Sequence, residues 1–321
     1  MPVIASFYRS RFCLGSGHVQ TMYPALFRKS AHVNYRRERI ATPDGDFLDL
    51  DWLRAGFPGL AVISHGLEGS SRGKYVLGMA HMLHSHGWDV LALNFRGCSG
   101  EPNRTLRLYH SGVTDDLHTA LRHGLRVGRY HKAVLVGFSM GGNQTLKYLG
   151  EDPDKVPAEV GSAIVFSVPC DLEGAALAMG RYENRVYMHK FLRTLRRKVE
   201  EKDQRFPGIL DLRGIASLRT FQEFDERYTA PLHGFSSALD YWRTCSANRF
   251  LEAIDRPTLL VNALNDPFLS PTCFPLAQAA ASPYLHLECP RSGGHVGFLG
   301  LDRKGVSWAE KRTVQFLTSG T

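Results

Sequence analysis

The chain is short of the features that carry a protein into or across a membrane. Its longest uncharged stretch, Pro267 to Leu287, holds four prolines and reads as a loop and a short helix, not a bilayer span. Arg9 and Arg11 precede any apolar run, so no signal-peptide core is expected and a cytoplasmic protein is. The six cysteines (Cys13, Cys98, Cys170, Cys245, Cys273, Cys289) are scattered with no C-x-x-C spacing, and reduced thiols are the expectation. Cys98 has no base beside it in the sequence. There is no H-E-x-x-H pattern; His81 and His84 share a helix face, with His86 close by, but lack a third convergent ligand. No metal or other cofactor is expected. There is no internal repeat and no nucleic-acid module. With 43% hydrophobic and 22% charged residues, the chain has no disorder signature and can bury a large core.

Charge is present but uneven. Residues 1–40 hold seven Lys/Arg against one Glu, and residues 181–202 hold eight against three, so the rest of the +8 chain is slightly acidic. A solvated basic face is the plain explanation. Peripheral contact with an anionic membrane is the functional one.

The chemistry concentrates at Gly137-Phe138-Ser139-Met140-Gly141. Lys132 to Val136 before it is a short β-branched run that reads as a buried parallel strand. Gly142 to Leu149 after it has helical spacing. Strand, sharp turn and helix around G-x-S-x-G is the setting of a nucleophile elbow, with Gly137 and Gly141 leaving room for its strained backbone. An elbow serine needs a base and a group to orient it. Arg256 to Ala263 reads as a second buried strand followed by the turn Asn265-Asp266-Pro267. Tyr284 to Leu287 reads as another, followed by a loop holding His295. Ser139, Asp266, His295 is the Ser…Asp…His order of α/β-hydrolases. The backbone amide of Met140 is one expected oxyanion donor. Leu67, in the loop after the strand Leu60 to Ser64, is the other, with Gly66 permitting close approach.

The runs HGLEGSS, NFRGCSGEPN, YHSG, GFSMGGN and NDPF, with GHVQT near the start, resemble the YheT-type hydrolases, a bacterial branch of the α/β-hydrolase superfamily. Its eukaryotic relatives are membrane-anchored lipases and esterases; the N-terminal region here carries no comparable apolar run. The resemblance covers Gly17 to His295 and implies a carboxylic ester hydrolase with Ser139, Asp266 and His295 as its triad.

The expected fold is α/β: a doubly wound, mostly parallel sheet of the α/β-hydrolase type with a helical cap insertion. Strands are expected at 47–53, 60–64, 88–93, 132–136 and 162–168. Helices are expected at 71–86 and 111–127, and a last one from Lys304 to Leu317. The first part of the core spans 1–170, with an N-terminal extension at 1–36. The cap spans 171–254, and the second part of the core 255–321. Within the cap, Met188, Leu192, Leu195 and Val199 form an apolar stripe opposite Arg193, Arg196, Arg197 and Lys198. The cap aromatics Tyr182, Tyr187, Phe221, Phe224, Tyr228, Phe235, Tyr241 and Trp242 are expected to be core. Crossover helices without a lid role are the alternative to a cap. His110 is assigned no catalytic part.

The expected activity is that of a short- to medium-chain serine carboxylesterase acting on a small-molecule or lipid ester. The alternatives are a lipase, or a monoacylglycerol or lysophospholipid hydrolase docking on membranes, and a non-catalytic binding protein on a hydrolase scaffold. The sequence assigns no oligomeric state.

Overall fold

The computed structural model describes residues 3–10, 15–300 and 305–319. Its strands are β1 (Val3–Ile4), β2 (Arg36–Ala41), β3 (Phe47–Leu53), β4 (Gly59–Ser64), β5 (Trp88–Asn94), β6 (Lys132–Phe138), β7 (Val160–Phe166), β8 (Thr258–Val261) and β9 (Leu285–Glu288). They form one sheet in the order β1-β9-β8-β7-β6-β4-β5-β3-β2. Pairing is parallel except where β3 meets β2 and β5. β4 and β8 are buried along their whole length, the pattern of strands covered on both faces.

The helices are α1 (Gly17–Phe27), α2 (Lys74–Ser85), α3 (Asp115–Gly128), α4 (Met140–Glu151), α5 (Leu172–Met179), α6 (Arg185–Arg205), α7 (Phe221–Phe224), α8 (Ala230–Leu232), α9 (Ala238–Cys245), α10 (Leu276–Ala281) and α11 (Trp308–Thr318). Alternation along each strand divides the core between the two sheet faces. Leu60 and Val62 of β4 pack with Leu117 and Leu121 of α3 and Leu146 of α4. Ala61 and Ile63 pack on the other side with Val76 and Met79 of α2 and Phe316 of α11. The doubly wound fold follows from this two-sided burial.

The N-terminal segment is no appendage. β1 closes one edge of the sheet on β9. β2 was hidden in the charged run Arg36 to Arg39, yet Arg37 and Arg39 stand directly opposite Asp51 and Asp49 on β3 and pair with them. Arg28 pairs with Glu310. Three of the seven cations of residues 1–40, Arg28, Arg37 and Arg39, are therefore answered by carboxylates rather than left on a basic face. The last helix begins at Trp308, whereas Lys304 and Cys13 lie outside the described residues.

Between β7 and β8 run only helices and loops, α5 to α9 with a π-helical turn at Asp225–Thr229. The apolar stripe Met188, Leu192, Leu195, Val199 is buried as expected. Lys198 is not opposite it. Together with Phe191, Leu195 and Lys202 it forms a second inward row at i, i+4, i+7, i+11. Lys202 donates to Asn103 O at 2.9 Å and also to Thr105 O, so two cations counted as basic surface bind the core. No described helix is long and apolar enough to cross a membrane.

Candidate active site

Ser139 sits between β6 and α4 with φ 52° and ψ −120°, a conformation an L-residue holds only when its neighbours force it. Its amide donates to Phe166 O at 2.8 Å, and its carbonyl accepts the first turn of α4 from Gly142 and Asn143. A Cβ on Gly141 would come within 2.5 Å of the Ser64 and His65 carbonyls, so only glycine permits this closeness of elbow and β4. The parallel strands end together, which brings the loops after β4, β6, β8 and β9 to one edge of the sheet.

Asp266, in the loop after β8, and His295, in the loop after β9, meet the serine there. His295 Nε2 lies 2.9 Å from Ser139 Oγ, and His295 Nδ1 lies 2.9 Å from Asp266 Oδ2. A carboxylate facing Nδ1 fixes the proton on that nitrogen, leaving Nε2 free to accept from the hydroxyl. The Asp266 side chain is fully buried, and its Oδ1 also accepts from the Phe268 amide at 2.9 Å. The His295 loop is braced on both sides. The His295 amide donates to Thr21 Oγ1 of α1 at 2.8 Å, and the Val296 amide donates to Ser167 Oγ at 2.8 Å. Thr21 and Ser167 were not singled out by sequence reasoning, although Thr21 closes the GHVQT run.

The loop after β4 is held just as firmly. The Gly66 amide donates to Tyr75 Oη, the Glu68 amide to Tyr109 Oη, and the Gly69 amide to Gly66 O, at 2.9, 2.9 and 3.0 Å. His65 is wholly buried, which lowers its pKa to about 3. It stays neutral, donating from Nδ1 to Gly66 O and accepting the Phe95 amide at Nε2. Among the described residues no acceptor is recorded for the Leu67 amide. Gly66 packs so closely that its Cβ would stand 3.1 Å from Ser139 Cβ. Leu67 and Met140 both face the cavity that holds Ser139 and His295.

Lys198 reaches this loop from α6. Its Nζ lies 2.7 Å from Glu68 Oε1 and 3.0 Å from Cys98 Sγ, above the Tyr109 ring, and Tyr109 also donates to Glu68. Cys98 therefore has a cation beside it that its sequence neighbours do not reveal, but burial raises its thiol pKa and keeps it protonated. The NFRGCSG run has a structural use too. Arg96 is buried and holds Asp116 at 2.8 Å and Asp44 at 2.6 Å.

The cavity, about 130 Å³, runs from Ser139 beneath the helices between β7 and β8. Its walls are apolar, and they correct one expectation. Phe221, Phe224, Tyr241 and Trp242 line the cavity as well as packing among the helices between β7 and β8, while Tyr182 is 75% exposed. His110 also lines it, 4.5 Å from the His233 ring, and burial keeps its pKa well below normal. Asp225, on the π-helical turn, is the one acid among the lining residues. Its oxygens accept from Thr229 Oγ1 at 2.6 Å and Trp242 Nε1 at 2.8 Å, and desolvation pushes its pKa up to about 6 against these donors. Among the described residues no three His, Cys, Asp or Glu side chains converge as a metal site.

A serine on a strained strand-to-helix turn, answered by a histidine and a buried aspartate from later loops of a mostly parallel sheet, defines a class of protein. Residues 62–292 match the alpha/beta hydrolase fold family. The chain belongs to the α/β-hydrolase family and, within it, to the YheT branch of esterase and lipase type. It is 37% identical to YheT of Escherichia coli (strain K12), a protein provisionally named an esterase, over 94% of this chain and 90% of that one. It is 29% identical to the phospholipase ABHD3 of Mus musculus, over 98% of this chain and 79% of the relative. Among solved structures, the Pyrococcus furiosus esterase Pf2001 superposes with a TM-score of 0.59 at 17% identity, covering 90% of this chain and 94% of that one; this likeness is one of fold.

Proposed function

We propose that this protein is a serine carboxylic ester hydrolase favouring short to medium acyl chains. The observation that carries the proposal is the unbroken line Ser139 Oγ, His295 Nε2, His295 Nδ1, Asp266 Oδ2, with 2.9 Å at each hydrogen bond. His295 takes the hydroxyl proton as Ser139 attacks the ester carbonyl. The Leu67 and Met140 amides receive the oxyanion, and His295 returns the proton to the leaving alcohol. Water then resolves the acyl-enzyme with His295 again as base, while Asp266 holds the imidazole tautomer. Residues 171–254 act as the cap. Its helices close the apolar cavity over Ser139, so each acyl methylene gains about 0.8 kcal/mol only while room lasts.

Two measurements test this. A fluorophosphonate probe should label the wild type and not Ser139→Ala; equal labelling would remove Ser139 from the mechanism. Across p-nitrophenyl esters from acetate to palmitate, kcat/KM should rise and then drop sharply. A steady rise through palmitate, with activation at a lipid interface, would favour a second reading, a lipid-ester hydrolase with a mobile lid. The outer face of α1, where Leu26 and Phe27 are 60% and 68% exposed, supports that reading. Cytoplasmic location belongs to the proposal as well, and rests on Cys98, Cys170, Cys245, Cys273 and Cys289 being free thiols.

A further inference from the structure

Helix α1, Gly-His-Val-Gln-Thr-Met-Tyr-Pro-Ala-Leu-Phe, contains no charged residue, and the residues it buries are Gln20 and Pro24. Its outer face carries Val19, Met22, Tyr23, Leu26 and Phe27, exposed by 40, 42, 41, 60 and 68%. Their spacing of i, i+3, i+4, i+7 and i+8 is one continuous stripe. An ordinary surface helix turns such a stripe inward; this one presents it to solvent. The helix is not loose, for its inner side holds the His295 amide through Thr21, and Gly15 O just before it accepts from Asn265 Nδ2 at 2.9 Å.

The flank of α1 adjoins the cap. His18 stacks on Tyr187 with ring centroids 5.8 Å apart, and Tyr187 lies in the first turn of α6. Beside it Tyr182 and Val186 are 75% and 62% exposed. The same region carries exposed Arg181, Arg185, Lys190 and Arg193. The ion pairs of α6 are Arg197 with Glu201 and Lys198 with Glu68, which leaves Arg185, Lys190 and Arg193 with no carboxylate partner among the described residues. From this face to the chemistry is a short step. Tyr187 packs on Phe268 at 4.8 Å, and Phe268 lies 4.2 Å from the His295 ring.

We propose that the outer stripe of α1 and the exposed start of the cap form a docking surface for a lipid bilayer with anionic headgroups. Leu26 and Phe27 enter among the acyl chains, and the unpaired arginines and lysine meet headgroup phosphates. A second copy of the chain is the poorer occupant, because a two-fold contact here would bring the same unpaired cations face to face. The surface gives the ester-hydrolase reading its substrate source, and that use of it rests on that reading; bilayer binding itself does not.

The test uses the full chain as Ser139→Ala, so that vesicles are not consumed. It should sediment with vesicles of phosphatidylcholine mixed with phosphatidylglycerol, less so with pure phosphatidylcholine, and salt should weaken the association. L26S/F27S should bind at least tenfold more weakly, and Arg181→Gln and Arg185→Gln each about fivefold. In the Ser139 background, L26S/F27S should keep its hydrolysis of p-nitrophenyl butyrate, which shows the fold intact. Equal binding by L26S/F27S, or equal binding to neutral and anionic vesicles, overturns the proposal. So does absence of vesicle binding, and a concentration-dependent dimer that L26S/F27S abolishes would then make a second copy the occupant. A wild type that docks on vesicles but cleaves no ester refutes the hydrolase reading and leaves the docking surface standing.

Discussion

Replacing Lys198 by methionine asks how firmly α6 is tied to the loop that carries the Leu67 amide. Lys198 and Glu68 are 2.7 Å apart, with side chains 15% and 8% exposed. Methionine keeps much of the aliphatic stem and removes the cation, leaving Glu68 buried with only the Tyr109 hydroxyl and solvent at the cavity edge to answer it. Removing one partner of a buried pair costs about 3–5 kcal/mol, and the residual exposure of Lys198 argues for about 3 kcal/mol. For a chain of this size that is a fall of roughly 4–5 °C in Tm. Glu68 holds φ at 54°, a strained value next to Leu67, so losing its anchor should also lower kcat while KM changes little. The double variant K198M/E68L should recover most of the lost Tm. Burial alone would lower the Lys198 pKa, but Cys98 and Glu68 outweigh it and raise the pKa above normal. The contribution of the pair is thus complete below the ordinary lysine value of roughly 10.4 and fades only as pH climbs through the higher folded value. Thermal melts at neutral and strongly alkaline pH, with steady-state kinetics, check all of this. Additive losses in the double variant, with no coupling, would refute it.

Other substitutions probe the site more directly. Asp266→Asn should keep the fold and lower kcat by about 10³–10⁴, because the imidazole loses the carboxylate that fixes its tautomer; a loss under tenfold in p-nitrophenyl ester hydrolysis would count against the triad. Asp225 titrates near 6 in the native protein, above the ordinary aspartate value, so the native state binds the extra proton and stability should fall as pH rises from about 4 to about 6. Asp225→Asn should flatten that part of the Tm-against-pH curve, and an unchanged slope would show that the carboxyl is not desolvated. Gly141→Ala should fail to accumulate as folded protein, since its Cβ meets two carbonyls at 2.5 Å; a stable, active variant seen by circular dichroism would mean the elbow can relax.

What could be read from the sequence was whatever depended on local pattern. The strand at Phe47–Leu53 lies where its alternation put it, and the central strands announced themselves as unbroken apolar runs. Ser139, Asp266 and His295 each follow such a strand, which is why their order along the chain was informative. What escaped depended on contacts made across the fold. β2 reads as a charged loop until Asp49 and Asp51 are seen opposite its arginines. α1 has no inward apolar stripe to give it away, since its apolar residues face out. Lys198 sits on the polar side of a helical wheel drawn around Leu192 and Val199, but α6 is contacted on two sides, and its second row points at the cavity. The placement of Asp225 depends on a π-helical turn, whose extra residue shifts the register that 3.6-residue counting assumes.

The bond between the His295 amide and Thr21 joins residues 274 positions apart. As the chain leaves the ribosome, α1 is made well before the loop it braces. Until the loop holding His295 is made the helix lacks that partner, and until α6 is made it lacks its place beside Tyr187, so its uncharged sequence is free to associate elsewhere. The nucleophile elbow, by contrast, can close once β7 has been made, because Ser139 draws its backbone bonds from Phe166 and α4. The protein therefore assembles its serine early and its histidine late. On the proposed mechanism, activity appears only once the His295 loop has joined α1 and the elbow, so a nascent chain that stops short of His295 carries a serine that cannot yet attack anything.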